Sequence, residues 1–271
     1  MSAGERLDVL LVRRGLVQSR ERAQAAIAAG LVTVNGVRAD KASQRCRSDA
    51  DLAVSGEVHP YVSRGGLKLE KALQTFGLNP AGAVALDVGA STGGFTDCLL
   101  RHGAIKVYAV DVGTDQLAAS LRADPRVVSL ERTNARYLTR TEIPEPVDFM
   151  TIDVAFISLG RLWDALVPLL APHATVIALV KPQFEAGPER VGSRGVVRSA
   201  SVHTDVVVAA ATEAIAAGLT VRGLTFSPIR GPEGNIEFLL HLGAGGRGLS
   251  GEALARLAAQ TVRDAHASLR Q

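Results

Sequence analysis

The stretch LDVGASTGGF, residues 86–95, limits the fold of this 271-residue chain more than any other. An apolar run ends in an acid, a glycine-rich turn follows, and FTDCLLRHG then continues with helical spacing. Strand, turn and helix in that order open a β–α–β unit. The alternation persists downstream. KVYAVDVG, VVSLERTN, VDFMTIDV and ATVIALVKP read as strands, and QLAASLRA, LGRLWDALVPLLA and VHTDVVVAAATEAIAAGL read as helices. A further helix, LKLEKALQTFG, precedes the first strand, AVALDVG. Apolar strands between amphipathic helices imply an α/β fold with a mostly parallel sheet covered on both faces. TVRGLTFSP and NIEFLLHL are joined by IRGPEG, too short for a crossover helix, so they are expected to pair antiparallel at one end of the sheet. After LGAGGRGLSG, a flexible link at residues 242–251, a final polar and basic helix is predicted.

The first sixty residues follow another pattern. RLDVLLVRRGL places apolar residues at 7, 10 and 11 on one helical face and stops at Gly15. Ser19 can cap a second helix with Ala23, Ala26 and Ile27 on its inner face, closed by Gly30. LVTVNGVRA alternates around Asn35-Gly36, a hairpin signal. Between Arg6 and Arg47 there are nine basic residues against three acids, although the whole chain carries a formal charge of only +3. A local excess of that kind suits a polyanion. The stretch RLD…L…RGL…SR..A…I..G.V.VNG resembles the S4 RNA-binding domain, which implies a small α+β module and phosphate contacts from Arg6, Arg20, Arg22 and Lys41. Residues 1–59 are read as this domain, 60–66 as a linker around Pro60 and Gly65-Gly66, and 67–271 as the second domain.

In open parallel sheets, ligands bind beyond the carboxyl ends of the strands, where strand order reverses. The turn Gly89-Ala90-Ser91-Thr92-Gly93-Gly94-Phe95 should mark that place. It lacks the middle glycine of a dinucleotide fingerprint, since Ser91 stands there, and it lacks the terminal Lys-Ser/Thr of a triphosphate loop. A nucleoside ligand without phosphates remains. Asp87 ends the first strand, where its carboxylate is expected to meet a ligand ammonium. Asp111 ends the second strand, 22 residues beyond Gly89, and suits ribose hydroxyls. Ammonium, ribose and adenine together describe S-adenosylmethionine. Asn134 is placed near the adenine. Phe156 either packs on the cofactor or belongs to the core.

Four polar residues fall where a methyl group would be transferred: Lys68 before the first strand, Asp153 after the fourth, Lys181 after the fifth, and Glu237 in the last. Asp153-Val154-Ala155-Phe156 has no proline pair of the kind common in amine methylation. With LDVGASTGGFTDCLL, VDVGTDQL, LERTNAR, TIDVAFISL and LVKPQFEAG, the chain resembles the TlyA-type ribosomal RNA 2′-O-methyltransferases, an S4 domain joined to an FtsJ/RrmJ-like domain. The resemblance implies a Rossmann-like S-adenosylmethionine-dependent methyltransferase fold. Lys68, Asp153, Lys181 and Glu237 are then its catalytic tetrad, and the activity is methylation of cytidine ribose in 16S and/or 23S rRNA. The complete S4 start and the tail after residue 249 look like the longer members, which modify both ribosomal subunits. Lys181 is placed beside the 2′-oxygen. It takes the proton only if burial or a neighbouring cation such as Lys68 favours the neutral amine, while Asp153 and Glu237 orient the lysines. Arg64, Arg132 and Arg136 extend the RNA surface, and VGSRGVVRS at 191–199 reads as an active-site loop with Arg194 and Arg198 facing phosphates.

The N-terminus is charged from its fifth residue, and no run of about 18 apolar residues occurs, so neither a secretion signal nor a membrane span is expected. Cys46 and Cys98 stand alone, without metal-ligand spacing. The expectation is a cytoplasmic, monomeric enzyme using no metal, with ribosomal RNA in 30S or 50S particles as its partner. Three rivals are weighed against it: a non-catalytic RNA-binding or assembly protein, a pore-forming haemolysin, and a nicotinamide oxidoreductase.

Overall fold

The computed structural model describes residues 4–17, 19–28, 30–55, 59–192 and 194–269. The chain divides into two compact units, Met1–Arg64 and Gly65–Gln271.

The first unit holds β1 (Glu5–Arg6), α1 (Leu7–Arg13), α2 (Arg20–Ala28), β2 (Val32–Val34), β3 (Val37–Arg38), β4 (Arg45–Cys46) and β5 (Leu52–Val54). Leu7, Leu10, Leu11, Ala23, Ala26 and Ile27 close one small core, the residues that helical spacing put inward. Asn35 (φ 51°) and Gly36 (φ 77°) both take left-handed conformations, so β2 and β3 form a two-residue hairpin. The hairpin is one part of a three-stranded sheet in the order β3-β2-β5; β5 and the β1–β4 pair were not foreseen. Their strands are only two or three residues long, too short for alternation to register.

Asp8 is wholly buried on α1. Its carboxylate accepts two bonds from the Arg6 guanidinium at 3.0 Å, one from Arg20 at 3.1 Å and one from Gln24 at 3.0 Å. The Arg6 contact, first among these, holds the Asp8 carboxyl well below the usual carboxylate range.

The second unit contains α3 (Gly65–Phe76), β6 (Val84–Val88), α4 (Gly94–Arg101), β7 (Lys106–Val110), α5 (Ala119–Arg122), β8 (Val127–Leu130), β9 (Val147–Ile152), α6 (Trp163–Leu166), β10 (Leu170–Val180), α7 (Pro182–Glu185), α8 (Ala200–Ala216), β11 (Leu219–Phe226), β12 (Phe238–Ala244) and α9 (Gly251–Ser268). The sheet runs β11-β12-β10-β9-β6-β7-β8, parallel from β10 to β8, with β12 antiparallel to both of its neighbours. Strand order therefore reverses between β6 and β9, which places a crevice at the carboxyl ends of those two strands.

Local departures from the sequence reading have local causes. The helix expected over LGRLWDALVPLLA is two 3-10 turns flanking α6, because Pro168 ends regular helical bonding, and Leu170 already belongs to β10. The helix of QLAASLRA is reduced to Ala119–Arg122. The last strand starts at Phe238, so Glu237 lies just before it rather than within it. Among the described residues, no helix is long and apolar enough to cross a membrane. Neither Cys46 nor Cys98 is in a disulfide, and both are buried.

Because the depressed Asp8 carboxyl adds stability above its ordinary value of 3.8, that contribution fades as pH falls through this value towards the folded one. Asp8→Asn is expected to destabilise the first unit by about 1–3 kcal/mol at pH 7. The gap to the wild type should narrow on acidification below pH 4, as followed by amide exchange of α1 and α2.

Candidate active site

The glycine turn is held by backbone contacts on both sides. Gly89 and Ala90 donate to Val110 O at 2.9 and 3.0 Å, and Asp153 N donates to Val88 O at 2.8 Å. Gly89 has φ +85°, and a Cβ there would lie 2.5 Å from the Asp153 carbonyl oxygen. Only a residue without a side chain lets the loops after β6 and β9 touch at this point. Gly93 (φ +96°) is enclosed in the same way by Leu121 and Leu117, and Gly94 starts α4. Ser91 and Thr92 are exposed on the turn, whereas Ala90 and Phe95 are buried.

Asp87 does not face the crevice. Its carboxylate is fully buried, with one oxygen accepting from Thr96 Oγ1 at 2.7 Å and the other from Thr151 Oγ1 at 2.9 Å. It fastens β6 to α4 and β9. Each oxygen of the acid expected to meet a ligand ammonium is thus engaged by a threonine hydroxyl. Desolvation is the main cause that pushes its carboxyl up to about 6, with the nearby Asp153 charge adding to it and the threonine hydroxyls opposing it.

Asp111 is half-buried and joins the first two loops. Its Oδ2 accepts from Ser91 N at 2.8 Å and its Oδ1 from Gly113 N at 2.7 Å. Each oxygen keeps a lone pair for a further donor. Asn134 is exposed on the third loop, where it caps a 3-10 turn by accepting from Arg136 N at 3.0 Å. Ser91 (φ 47°), Asp115 (φ 55°), Arg132 (φ 52°) and Phe156 (φ 63°) all have left-handed backbones in the loops that leave β6, β7, β8 and β9. Each such conformation costs about 1–3 kcal/mol, and this kind of strain gathers at working sites. Phe156 is 90% exposed, which rules out the core alternative for it, and its ring lies 5.0 Å from that of Phe184.

The four polar residues form two ion pairs. Lys181 Nζ stands 2.6 Å from Asp153 Oδ1, and Lys68 Nζ stands 2.6 Å from Glu237 Oε2. Sheet register explains much of this. The β10–β12 ladder ends at Val180↔Phe238, so Lys181 and Glu237 emerge opposite one another, with Asp153 at the end of neighbouring β9. Lys68 is brought in by α3, which packs on β12. The pairs differ in access: the Lys181 and Asp153 side chains are 14% and 19% exposed, against 9% and 1% for Lys68 and Glu237. The outer pair can meet a substrate. The inner one is nearly closed to solvent, and Glu237 Oε1 is further enclosed by the Gly231 backbone. Lys68 has its own carboxylate, so its charge is not left uncompensated beside Lys181.

Three positioning residues had no signal in the sequence. Thr96 and Thr151 satisfy Asp87. Asn235, fully buried, accepts from Val197 N and donates to Gly195 O, both at 2.9 Å, and so ties the arginine-bearing loop to the segment that ends in Glu237. Ser193 of that loop lies outside the described residues. Of the basic residues expected to contact RNA, Arg22, Lys41 and Arg64 are exposed in the first unit, where Arg6 and Arg20 are anchored on Asp8. Arg132 and Arg136 are exposed in the second unit, and the Arg136 guanidinium lies over the Tyr137 ring at 5.7 Å. Among the described residues, no group of three or more His, Cys, Asp or Glu is placed to hold a metal ion.

Residues 61–244 match the family of FtsJ-like methyltransferases, and residues 5–52 match the S4 domain. The chain is 50% identical over 272 residues to the protein YqxC of Bacillus subtilis, covering 100% of this chain and 97% of that one. It is 46% identical over 243 residues to the 16S/23S rRNA (cytidine-2′-O)-methyltransferase TlyA of Mycobacterium tuberculosis, covering 89% and 91% of the two chains. The structure of a haemolysin-named protein from Streptococcus thermophilus aligns with a TM-score of 0.76 at 45% identity, covering 99% and 98%.

Two substitutions check this geometry. Gly89→Ala should lower the stability of the second unit by about 2 kcal/mol or more, measured by urea unfolding, because its methyl meets backbone that cannot withdraw. An acid whose folded pKa is raised stabilises most fully below its unfolded value and loses that contribution as pH rises through the folded one. The Asp87 contribution should therefore fall between pH 4 and about 6. Asp87→Asn should flatten that part of the urea-midpoint profile; an unchanged profile would contradict the assignment.

Proposed function

Because this chain belongs to the FtsJ-like methyltransferase family, with an S4 domain ahead of the catalytic one, we propose that it methylates the ribose 2′-hydroxyl of cytidines in ribosomal RNA with S-adenosylmethionine as donor. The observation that carries the reading is the meeting of two features at one sheet edge: the glycine turn, held open by Gly89 against Asp153, and the Lys181–Asp153 pair immediately beyond it.

The residues suit the cofactor. Gly89, Gly93 and Gly94 keep the turn free of bulk, and Ser91 and Thr92 are exposed on it. Asp111 has carboxylate lone pairs for ribose hydroxyls, Asn134 and the exposed Phe156 border the same edge, and Asp87 acts from behind by fixing the turn. When bound, S-adenosylmethionine supplies a methyl group already activated by its sulfonium. What remains for the protein is to align a weak nucleophile and to manage one proton. As the cation of the outer pair, Lys181 donates to the 2′-oxygen and stabilises the negative charge that grows as its O–H bond weakens. Asp153 keeps Lys181 in place and, as the base of the pair, its carboxylate accepts the proton that the 2′-hydroxyl loses when its oxygen is methylated. Lys68 and Glu237 hold the inner wall. The basic first unit, with Arg6, Arg20, Arg22, Lys41 and Arg64, takes the RNA backbone, and the second unit offers Arg132 and Arg136 to phosphates.

Two of the rival activities can be weighed. A nicotinamide cofactor would need close backbone approach at the second glycine position, where Ser91 carries a side chain. A binding-only role leaves two closely paired, largely buried lysine–carboxylate contacts without a purpose, and their desolvation is costly.

Isolated 30S and 50S particles incubated with the full chain and radiolabelled S-adenosylmethionine should acquire label at cytidine 2′-oxygens, mapped by nuclease digestion. Label on a base, or no label on either particle, would overturn the proposal. Lys181→Ala should lower single-turnover methylation about 10²–10⁴-fold while calorimetry finds S-adenosylmethionine affinity within about threefold of wild type.

A further inference from the structure

Away from the glycine turn, the second unit has a cavity of about 280 Å³ between the 194–198 loop, the turn at 230–236 and helices α8 and α9. Its wall carries two arginines against one acid. Arg198 and Arg230 line it together with His203 and His266, and Glu233 is the one acid among its lining residues. Glu233 is exposed at the rim. Arg198 is exposed too and makes no ion pair among the described residues. Arg230 is half-buried and fixed by donating to Gly234 O at 2.7 Å and to the Leu269 carbonyl at the end of α9. His203, fully buried, shares a 2.8 Å hydrogen bond from its Nδ1 with His266 Nε2. Its buried Nε2 has no hydrogen-bond partner among the described residues.

Two arginines and a buried imidazole that lacks a full set of partners, set round a space large enough for a phosphate group, call for an anion. The place is also specific. Ile236 lines the cavity and is followed directly by Glu237 of the inner ion pair, while Asn235 ties the cavity's loop to the same segment. We propose that this cavity binds a phosphodiester group, and that in the working enzyme it holds the backbone of the substrate RNA near the nucleotide being methylated. The second part rests on the methyltransferase reading above; the first does not.

The imidazoles offer an internal reporter. Desolvation first, then the neighbouring positive charges, push His203 down to about 4, and His266 is lowered by desolvation and by Arg230. An anion in the cavity would offset those cations and favour protonation. The charged and titratable groups facing the pair are Arg198, Arg230 and Glu233.

Full-length protein with ¹⁵N-labelled histidine is titrated by NMR with inorganic phosphate and, separately, with a short ribosomal RNA fragment. Both should shift the His203 and His266 ring signals. In parallel, Arg198→Ala is compared with wild type on ribosomal particles. The expected result is a KM for particles raised about tenfold with kcat within twofold, unchanged S-adenosylmethionine affinity, and a salt slope of RNA binding smaller by about 1. Arg198→Lys should recover most of the loss. Imidazole shifts with phosphate but not with RNA, together with an unchanged KM in Arg198→Ala, would reject the RNA backbone as occupant and leave a free phosphate compound. No shift with either probe, and an unaltered salt slope, would overturn the site altogether. RNA retention is measured without turnover, so a wild-type chain that methylates no particle would sink the methyltransferase reading while the cavity is still tested.

Discussion

The contact of Gly89 with the Asp153 carbonyl governs what the second unit can do. Parallel strands deliver their following loops to one edge of a sheet, but they do not make those loops touch. Here the loop after β6 touches the loop after β9 because position 89 has no side chain and takes a left-handed backbone, with 2.5 Å between the Asp153 oxygen and the place a Cβ would occupy. The glycine turn and the acid of the outer ion pair thereby become neighbours. Asp87, sealed behind them between two threonine hydroxyls, keeps β6, α4 and β9 from drifting apart.

The two lysine–carboxylate pairs illustrate how charge can be kept in a largely buried place. An isolated ammonium or carboxylate at such depth would be costly, and pairing removes much of that penalty without making the pair a net source of stability. Their value lies in orientation. The inner pair is closed off from water more completely than the outer one, so the outer lysine has a firm wall behind it and an approach in front. Strained backbones in the loops around it fit the same picture, since such conformations persist only where the surrounding structure enforces them.

In the first unit one buried acid has an equivalent place. Asp8 gathers Arg6, Arg20 and Gln24 while both arginines remain partly exposed. Side chains held at their roots in this way lose less freedom when they meet a phosphate than free surface arginines would. Their charge is partly compensated by Asp8, so Arg22 and Lys41, which are exposed, supply attraction with less offset.

Much of this was legible in the residues because it is written locally. Strand and helix periodicity yielded the α/β class, Asn35-Gly36 the hairpin, and the positions 7, 10, 11, 23, 26 and 27 the inner faces of two helices, since each depends on neighbours a few residues away. Lys68, Asp153, Lys181 and Glu237 were grouped from their places around the strand ends, but their reading as a catalytic tetrad came through family likeness, as periodicity does not join residues 68 and 237. Tertiary structure alone decided who pairs with whom, that Asp87 faces inward, that Phe156 stands in solvent, and that Asn235 holds an arginine loop to Glu237. Those outcomes depend on strand order, register and burial, which arise when distant segments pack together.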